Sequence, residues 1–233
     1  MADAPSSAAP RADRSPGAPT LVLVPTAAEA RLIEHGRSRA PGSGLFALCG
    51  FGPVASAAQT ARQLALLKPH RVLLLGVAGS FDLDAAPIGS AVAFTRVRLD
   101  GVGAGEGEGF LDPRALGLPQ WDGDDTQIYD DLSLARSPGL TMPRELLTVC
   151  SCSASDEEAE RRRSRTSSPL AEDMEGFAVA LACQIEGVPV AIVRGISNEV
   201  GNRDTRSWRI AEAMQAAWSL ARECLETEWE PAR

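Results

Sequence analysis

The sequence has 233 residues, 44% of them hydrophobic and 23% charged, with a formal net charge of −8. That length suits one α/β domain with a sizeable core, and the composition excludes the collagen-like and disordered classes. The acidic balance argues against a nucleic-acid-binding surface, which needs a basic stripe to displace counterions from phosphate, and favours a small-molecule ligand.

In chain order, Met1–Pro19 is rich in Ala, Pro and Ser without the apolar run of a signal peptide, and reads as a disordered leader to a domain spanning 20–228. Leu21-Val22-Leu23-Val24 is a continuous apolar run ended by Pro25, the pattern of a strand buried on both faces of a mainly parallel sheet. Leu45–Cys49, Arg71–Leu75, Ala91–Val97, Leu146–Cys152 and Val188–Val193 are the other strand candidates. Helical stretches alternate with them, so the expected fold is α/β: a single domain with a central mixed, mainly parallel β-sheet flanked by helices. Gly52-Pro53 opens a helix whose expected buried stripe is Val54, Ala57, Ala58, Ala61, Leu64 and Ala65. Between Asp100 and Asp131 regularity is lost and glycine recurs at positions 101, 103, 105, 107 and 109, as in a functional or mobile loop. A closing helix from about Thr205 carries Ala211, Met214, Trp218, Ala221 and Leu225 along one side. No window approaches the ~18 apolar residues of a membrane span, and a cytoplasmic setting is expected.

The cysteines Cys49, Cys150, Cys152, Cys183 and Cys224 lack metal-knuckle or redox-pair spacing and read as reduced thiols packed as small apolar groups. His35 and His70, the chain's two histidines, are too few for a histidine-rich metal site or a Ser-His-Asp triad, and both read as surface residues. No metal or organic cofactor is implied.

Four segments are candidates for chemistry. Thr26-Ala27-Ala28-Glu29 follows the first strand; it is a capping box, and it also puts a carboxylate where ligands collect in open α/β sheets. Gly76-Val77-Ala78-Gly79-Ser80 reads as a strand running into a small-residue turn, chosen either for backbone geometry or to bring amides close to a ligand. Glu172-Asp173-Met174-Glu175 opens an apolar helix, where Asp173 as cap and Glu175 at the positive helix end are an alternative to a ligand-binding role. Arg194-Gly195-Ile196-Ser197-Asn198 ends an apolar strand in polar groups. Capping and loop polarity explain part of that run but not Arg194, because a buried charge requires a partner.

In this order the four segments resemble the site segments of the nucleoside phosphorylase/nucleosidase superfamily, over about Thr20 to Leu225. Within it, Glu106–Leu111, Asp173–Ala178 and Arg194–Asp204 look most like the futalosine hydrolase family, which splits futalosine into hypoxanthine and dehypoxanthine futalosine on a menaquinone route. The resemblance implies a nucleoside phosphorylase-like fold and a homo-oligomer, commonly a dimer. It also implies catalytic roles: Glu29 as general base for the attacking water, Glu175 on the ribose hydroxyls and the cationic sugar, and Asn198 at the purine. Met174 would pack on the ribose, and Val77, Ala78, Gly79 and Ser197 would line the pocket.

Two departures matter. Related nucleosidases that act on 6-aminopurines carry aspartate where this chain has Asn198; an amide can accept from a protonated N7 and donate to a 6-oxo oxygen, which suits hypoxanthine. Many nucleosidases also stack an aromatic residue on the base from the segment matching Cys150–Ser155, which here holds small residues, leaving Phe177 or Trp208 as candidates. The alternatives are a nucleosidase for another purine nucleoside, a phosphorylase, whose usual arginine after the first strand is not apparent, and a non-catalytic nucleoside-binding protein on the same fold.

Overall fold

The computed structural model describes residues 18–34, 44–123, 126–136, 144–166 and 169–232; His35 and the leader up to residue 17 lie outside them. The elements are β1 (Thr20–Val24), α1 (Ala27–Leu32), β2 (Leu45–Leu48), α2 (Pro53–Leu67), β3 (Arg71–Ser80), β4 (Ala91–Phe94), β5 (Arg96–Leu99), α3 (Pro113–Leu116), β6 (Trp121–Asp122), β7 (Gln127–Ile128), β8 (Asp131–Ser133), β9 (Glu145–Thr148), α4 (Asp156–Ser164), β10 (Ala171–Asp173), α5 (Gly176–Ile185), β11 (Val190–Glu199) and α6 (Ile210–Leu225). β6 and β7 form a small hairpin; the other strands make one sheet running β2-β1-β3-β10-β9-β5-β8, with β11 pairing β3 and β4. The β1–β2, β1–β3, β3–β11, β9–β10 and β5–β9 pairings are parallel, while β3–β10, β4–β11 and β5–β8 are antiparallel. This is the expected mixed, mainly parallel sheet.

Alternate residues of each central strand feed two cores, as the period-2 geometry of a strand requires. Leu21, Leu23, Val72, Leu74 and Ile192 join Leu64 of α2 and Phe177, Val179 and Cys183 of α5 on one face. Val22, Val24, Leu73, Leu75 and Val193 join Met214, Ala217, Trp218 and Ala221 of α6 on the other.

Several local expectations are corrected. β3 does not stop at Leu75; it continues through Gly76–Ser80, because β11 pairs with it from Val72 to Ser80 and β10 takes its other edge at Gly79 and Ser80. The expected turn is therefore strand. The stretch Ala91–Val97 is two strands broken at Thr95, β4 pairing with β11 and β5 with β8 and β9. β9 ends at Thr148, leaving Cys150 and Cys152 in the connection to α4, and β11 begins at Val190 instead of Val188.

The buried face of α2 is Ser56, Thr60 and Leu64, while Val54 is 84% exposed and Ala58, Ala61 and Ala65 are exposed as well. Small side chains facing α5 permit close packing, and the Ser56 hydroxyl is satisfied by the Gly52 carbonyl at 2.9 Å. α6 starts at Ile210 after a 3₁₀ turn at Thr205–Ser207, and Ala211 faces solvent. His70 is half-buried rather than at the surface. The Asp100–Asp131 region is ordered in part by α3, the β6–β7 hairpin and an Ala104–Leu111 bridge.

Among the described residues no helix is long and apolar enough to cross a membrane. All five cysteines are free thiols.

Candidate active site

The carboxyl ends of β1, β3 and β11 converge with the β10–α5 junction around a cavity of about 280 Å³, the location where open α/β sheets hold ligands. Glu29, Glu175 and Asn198 all border it. So do Val77, Ala78, Gly79, Met174 and Ser197.

Glu29 sits in the first turn of α1, where it both closes the cap and borders the cavity. The capping box is closed, with the Glu29 amide donating to Thr26 Oγ1 at 3.2 Å and the Thr26 amide donating to Glu29 Oε2 at 3.1 Å. The Thr26 hydroxyl also donates to Oε2, at 2.6 Å, and the Val77 amide donates to Oε1 at 3.2 Å. Cap and strand together fix the carboxylate at the cavity wall. A backbone donor from β3, a strand distant in sequence, is something a helix cap does not require.

Glu175 and Asp173 meet Arg194, which is fully closed to solvent on β11. Asp173 Oδ2 accepts from Arg194 Nε at 3.0 Å and from the Gly176 amide, the first of α5, at 2.9 Å, although the N-cap position itself is Glu175. Thr148 Oγ1 donates to Asp173 Oδ1 at 2.7 Å and accepts from the Phe177 amide at 2.8 Å, tying β9 into the same cluster. Glu175 makes no helix-capping hydrogen bond; its Oε1 accepts from the Gly52 amide at 3.0 Å and its Oε2 from Arg194 Nη2 at 3.2 Å. Burial pushes the Glu175 carboxyl up to about 7, with Asp173 and Glu29 adding to the rise, while Arg194 and the Gly52 amide oppose it. The Cys49 thiol, buried near the same charges, is pushed up to about 12 and stays neutral.

The partner that Arg194 required is thus a pair of carboxylates. Its Nη1 is buried and makes no hydrogen bond among the described residues. That nitrogen packs against Gly76, where a Cβ would lie 1.9 Å from Nη1 and 3.1 Å from Glu29 Oε1. Glycine at 76 is therefore a requirement of close approach. Arg194 sits between the two glutamates, and sequence reasoning flagged its charge without giving it a place in the site.

Asn198 follows a register shift in the β3–β11 ladder: Ile196 pairs Ala78 and Asn198 pairs Gly79, so Ser197 is the extra residue. Bulges of this kind re-aim side chains. Ser197 Oγ donates to Asn198 Oδ1 at 2.7 Å, and Asn198 Nδ2 donates to the Glu199 carbonyl at 2.8 Å. The Glu199 carbonyl only accepts, so it fixes which end of the amide is the donor. One Nδ2 hydrogen and one Oδ1 lone pair are left for a ligand.

Met174 is half-buried at the cavity, not part of the closed core. Of the two aromatic candidates, Trp208 borders the cavity, whereas Phe177 is 1% exposed and belongs to the core beneath it. Phe51, an aromatic residue between two glycines, also borders the cavity and was not anticipated. Cys152 and Ser153 give the small-residue wall. Among the described residues no group of three or more His, Cys, Asp or Glu side chains is placed to hold a metal ion.

A family model described as the phosphorylase superfamily matches residues 31–226. The futalosine hydrolase of Streptomyces coelicolor is 34% identical over 174 residues, 72% of each chain. That of Thermus thermophilus is 33% identical over 225 residues, 89% of this chain and 96% of the other. The chain belongs to the phosphorylase superfamily, in its futalosine hydrolase family. A solved structure of a 5′-methylthioadenosine/S-adenosylhomocysteine nucleosidase from Colwellia psychrerythraea, in complex with adenine, superimposes with a TM-score of 0.69 at 18% identity, covering 88% of this chain and 93% of that one. At that identity the superposition speaks for the superfamily fold.

Proposed function

We propose that this chain is a futalosine hydrolase, cleaving the N-ribosidic bond of futalosine with water to give hypoxanthine and dehypoxanthine futalosine in menaquinone biosynthesis. The observation that carries the reading is the placement of two carboxylates, Glu29 and Glu175, and one amide, Asn198, on a single cavity within residues 20–228. The family membership supports the substrate.

Cleavage of a purine N-riboside passes through a ribosyl-cation-like state with negative charge developing on the departing base. Glu29, held by Thr26 and Val77, takes the proton of the attacking water. Glu175, ionised, holds the ribose hydroxyls and stabilises the cationic sugar, with Arg194 favouring its charged form. Met174 packs on the sugar, and the Asn198 amide contacts the purine through its remaining donor and acceptor. Val77, Ala78, Gly79 and Ser197 shape the wall. The chemistry assigned to Glu29 calls for no metal or organic cofactor.

The test is a panel of futalosine, aminofutalosine, inosine and methylthioadenosine, with free base and sugar product quantified with and without phosphate. The expected result is phosphate-independent release of hypoxanthine, fastest from futalosine. Preference for an adenine nucleoside would move the assignment to another purine nucleosidase. Formation of a sugar phosphate that depends on added phosphate would make it a phosphorylase, and stabilisation by nucleoside without base release would make it a binding protein.

The same reading includes a homo-oligomer in the cytoplasm. Val54 on α2 is 84% exposed, as are Leu66 on the same helix at 64% and Phe51 just before it at 67%, apolar side chains that a second copy covers in this reading. Because Phe51 also borders the cavity, a neighbour seated there stands at its mouth. Sedimentation velocity of the wild type and of Val54→Asp checks this, with a shift towards monomer expected for the variant.

A further inference from the structure

The charges around the cavity are unequally partnered. Glu29 is held by Thr26 and Val77, and Asp173 and Glu175 by Arg194. Glu172, buried on β10, accepts from the Ser153 amide at 2.8 Å and from Arg162 Nη1 at 2.9 Å. Each acid on the wall has its donors. Among the described residues Arg203 is the one Lys or Arg bordering the cavity, and its guanidinium makes no ion pair or hydrogen bond.

The acid next to it in sequence, Asp204, is occupied by Arg206, whose Nε and Nη2 donate to the two carboxylate oxygens at 2.8 and 2.9 Å. Arg203 instead stands over the Trp208 ring, 5.0 Å from its centroid, and the Trp208 indole N–H donates to the Asn202 carbonyl at 3.1 Å. Stacking on an aromatic face orients a guanidinium while leaving its donors free. The charge of Arg203 is felt at Cys152 on the small-residue wall, and Arg203 lies in the segment that follows β11, the strand whose last residues include Asn198. An unneutralised cation therefore borders the same cavity as Asn198, to which the purine is assigned above.

Asn198 contributes a dipole there but no ionisable proton, so the charge on a departing 6-oxopurine needs another counterpart. We propose that Arg203 supplies the positive charge against which the purine departs. The inference rests on the placement of the purine at Asn198. In the step, the water oxygen bonds to C1′ and its proton goes to Glu29. The C1′–N9 bond breaks with both electrons passing to the base. The purine anion leaves paired with the Arg203 guanidinium and then takes a proton from solvent at N7, the N–H from which Asn198 Oδ1 accepts. Trp208 holds the guanidinium in place throughout.

The experiment uses the full chain, with Arg203→Gln and Arg203→Lys compared with wild type on futalosine and on its N7-methylated form. The methylated purine departs as a neutral species and needs no counter-charge. With futalosine, Arg203→Gln lowers kcat by about 10- to 100-fold, less than the loss of a fully buried oxyanion donor because solvent reaches this side chain, and Arg203→Lys recovers most of it. With the N7-methylated substrate, Arg203→Gln changes kcat by less than about threefold. Equal losses on both substrates would overturn the proposal in favour of a role in folding or in holding a remote part of the substrate. So would a change confined to KM. If the wild type releases no base from either substrate, the proposed function itself fails together with this inference, whereas an active wild type with an unimpaired Arg203→Gln removes only Arg203 from the mechanism.

Discussion

Arg194 and Glu175 form a buried ion pair behind the cavity wall, with Nη2 3.2 Å from Oε2, and the same guanidinium also holds Asp173. One cation between two carboxylates leaves a net negative charge in a place closed to solvent. The Glu175 carboxyl therefore stays near 7 despite its partner, since burial disfavours its ionised form more than Arg194 favours it. A carboxylate used to stabilise a cationic sugar is held in this way at the edge of ionisation.

Removing Arg194 exposes both carboxylates to that low-dielectric interior without a counter-charge. Arg194→Met is expected to destabilise the fold by about 3–5 kcal/mol, the usual result of stripping one partner from a buried pair. Urea unfolding of variant and wild type at the same pH measures it. In whatever fraction folds, the rising limb of the activity profile moves to higher pH, because the charge that lowers Glu175 is gone.

The ionisation of Glu175 has its own signature in the ligand-free protein. Between the ordinary value of 4.5 and about 7 the native state holds this proton and the unfolded chain has lost it, so stability falls as pH rises through that window and levels off above it. At ~1.4 kcal/mol per pH unit the full effect is about 3 kcal/mol. Denaturant unfolding at pH 5 and pH 7.5 should show a decline in wild type that is absent in Glu175→Gln. Over the same range kcat/KM of the wild type should rise through about pH 7, as the ionised form appears.

Glu29 has two jobs that substitution can separate. Glutamine has one acceptor oxygen, which can keep the capping box with Thr26 but turns an NH2 towards the Val77 amide, so Glu29→Gln should lose about 1–3 kcal/mol of stability together with the general base and about 10²–10⁴-fold in kcat. Glu29→Ala should lose activity similarly and the capping box as well. Thermal unfolding beside single-turnover rates distinguishes the roles; equal activity in Glu29→Gln and wild type would remove Glu29 from the chemistry.

At the base end, Asn198→Asp replaces a donor that points at the Glu199 carbonyl by an oxygen. Two acceptors then face one another, which favours the protonated acid and so creates a proton donor. The variant is expected to shift preference towards 6-aminopurine nucleosides, measured as the ratio of kcat/KM for adenine- and hypoxanthine-type substrates. An unchanged ratio would mean that this amide does not read the 6-position.

How far these residues were legible in the sequence depended on how local their partners are. The apolar run of β1 and the Thr26–Glu29 box need only neighbours within a few positions, and both appear in the structure as read. The apolar stripe assigned to α2 held at Leu64 but not at its exposed members, because small residues recur on several sides of that helix. Val54, Ala58, Ala61 and Ala65 obey helical spacing as well as Ser56, Thr60 and Leu64 do, and only the fit against α5 selects the second set. Phe51 and Trp208 were hard to place for a similar reason, since the wall they form joins turns far apart in the chain.

The sequence by itself determined the alternation of elements, the starts of α1 and α2 and the order of the four polar segments, because hydrophobic period and capping chemistry are local. Tertiary structure alone decided the rest. Glu29 gained its donor from Val77, Gly76 became obligatory beneath Arg194, and the extra residue at Ser197 turned Asn198 to the cavity. Each of these arises where strands distant in sequence are laid side by side, and hydrogen bonding and exclusion from water act on neighbours in space.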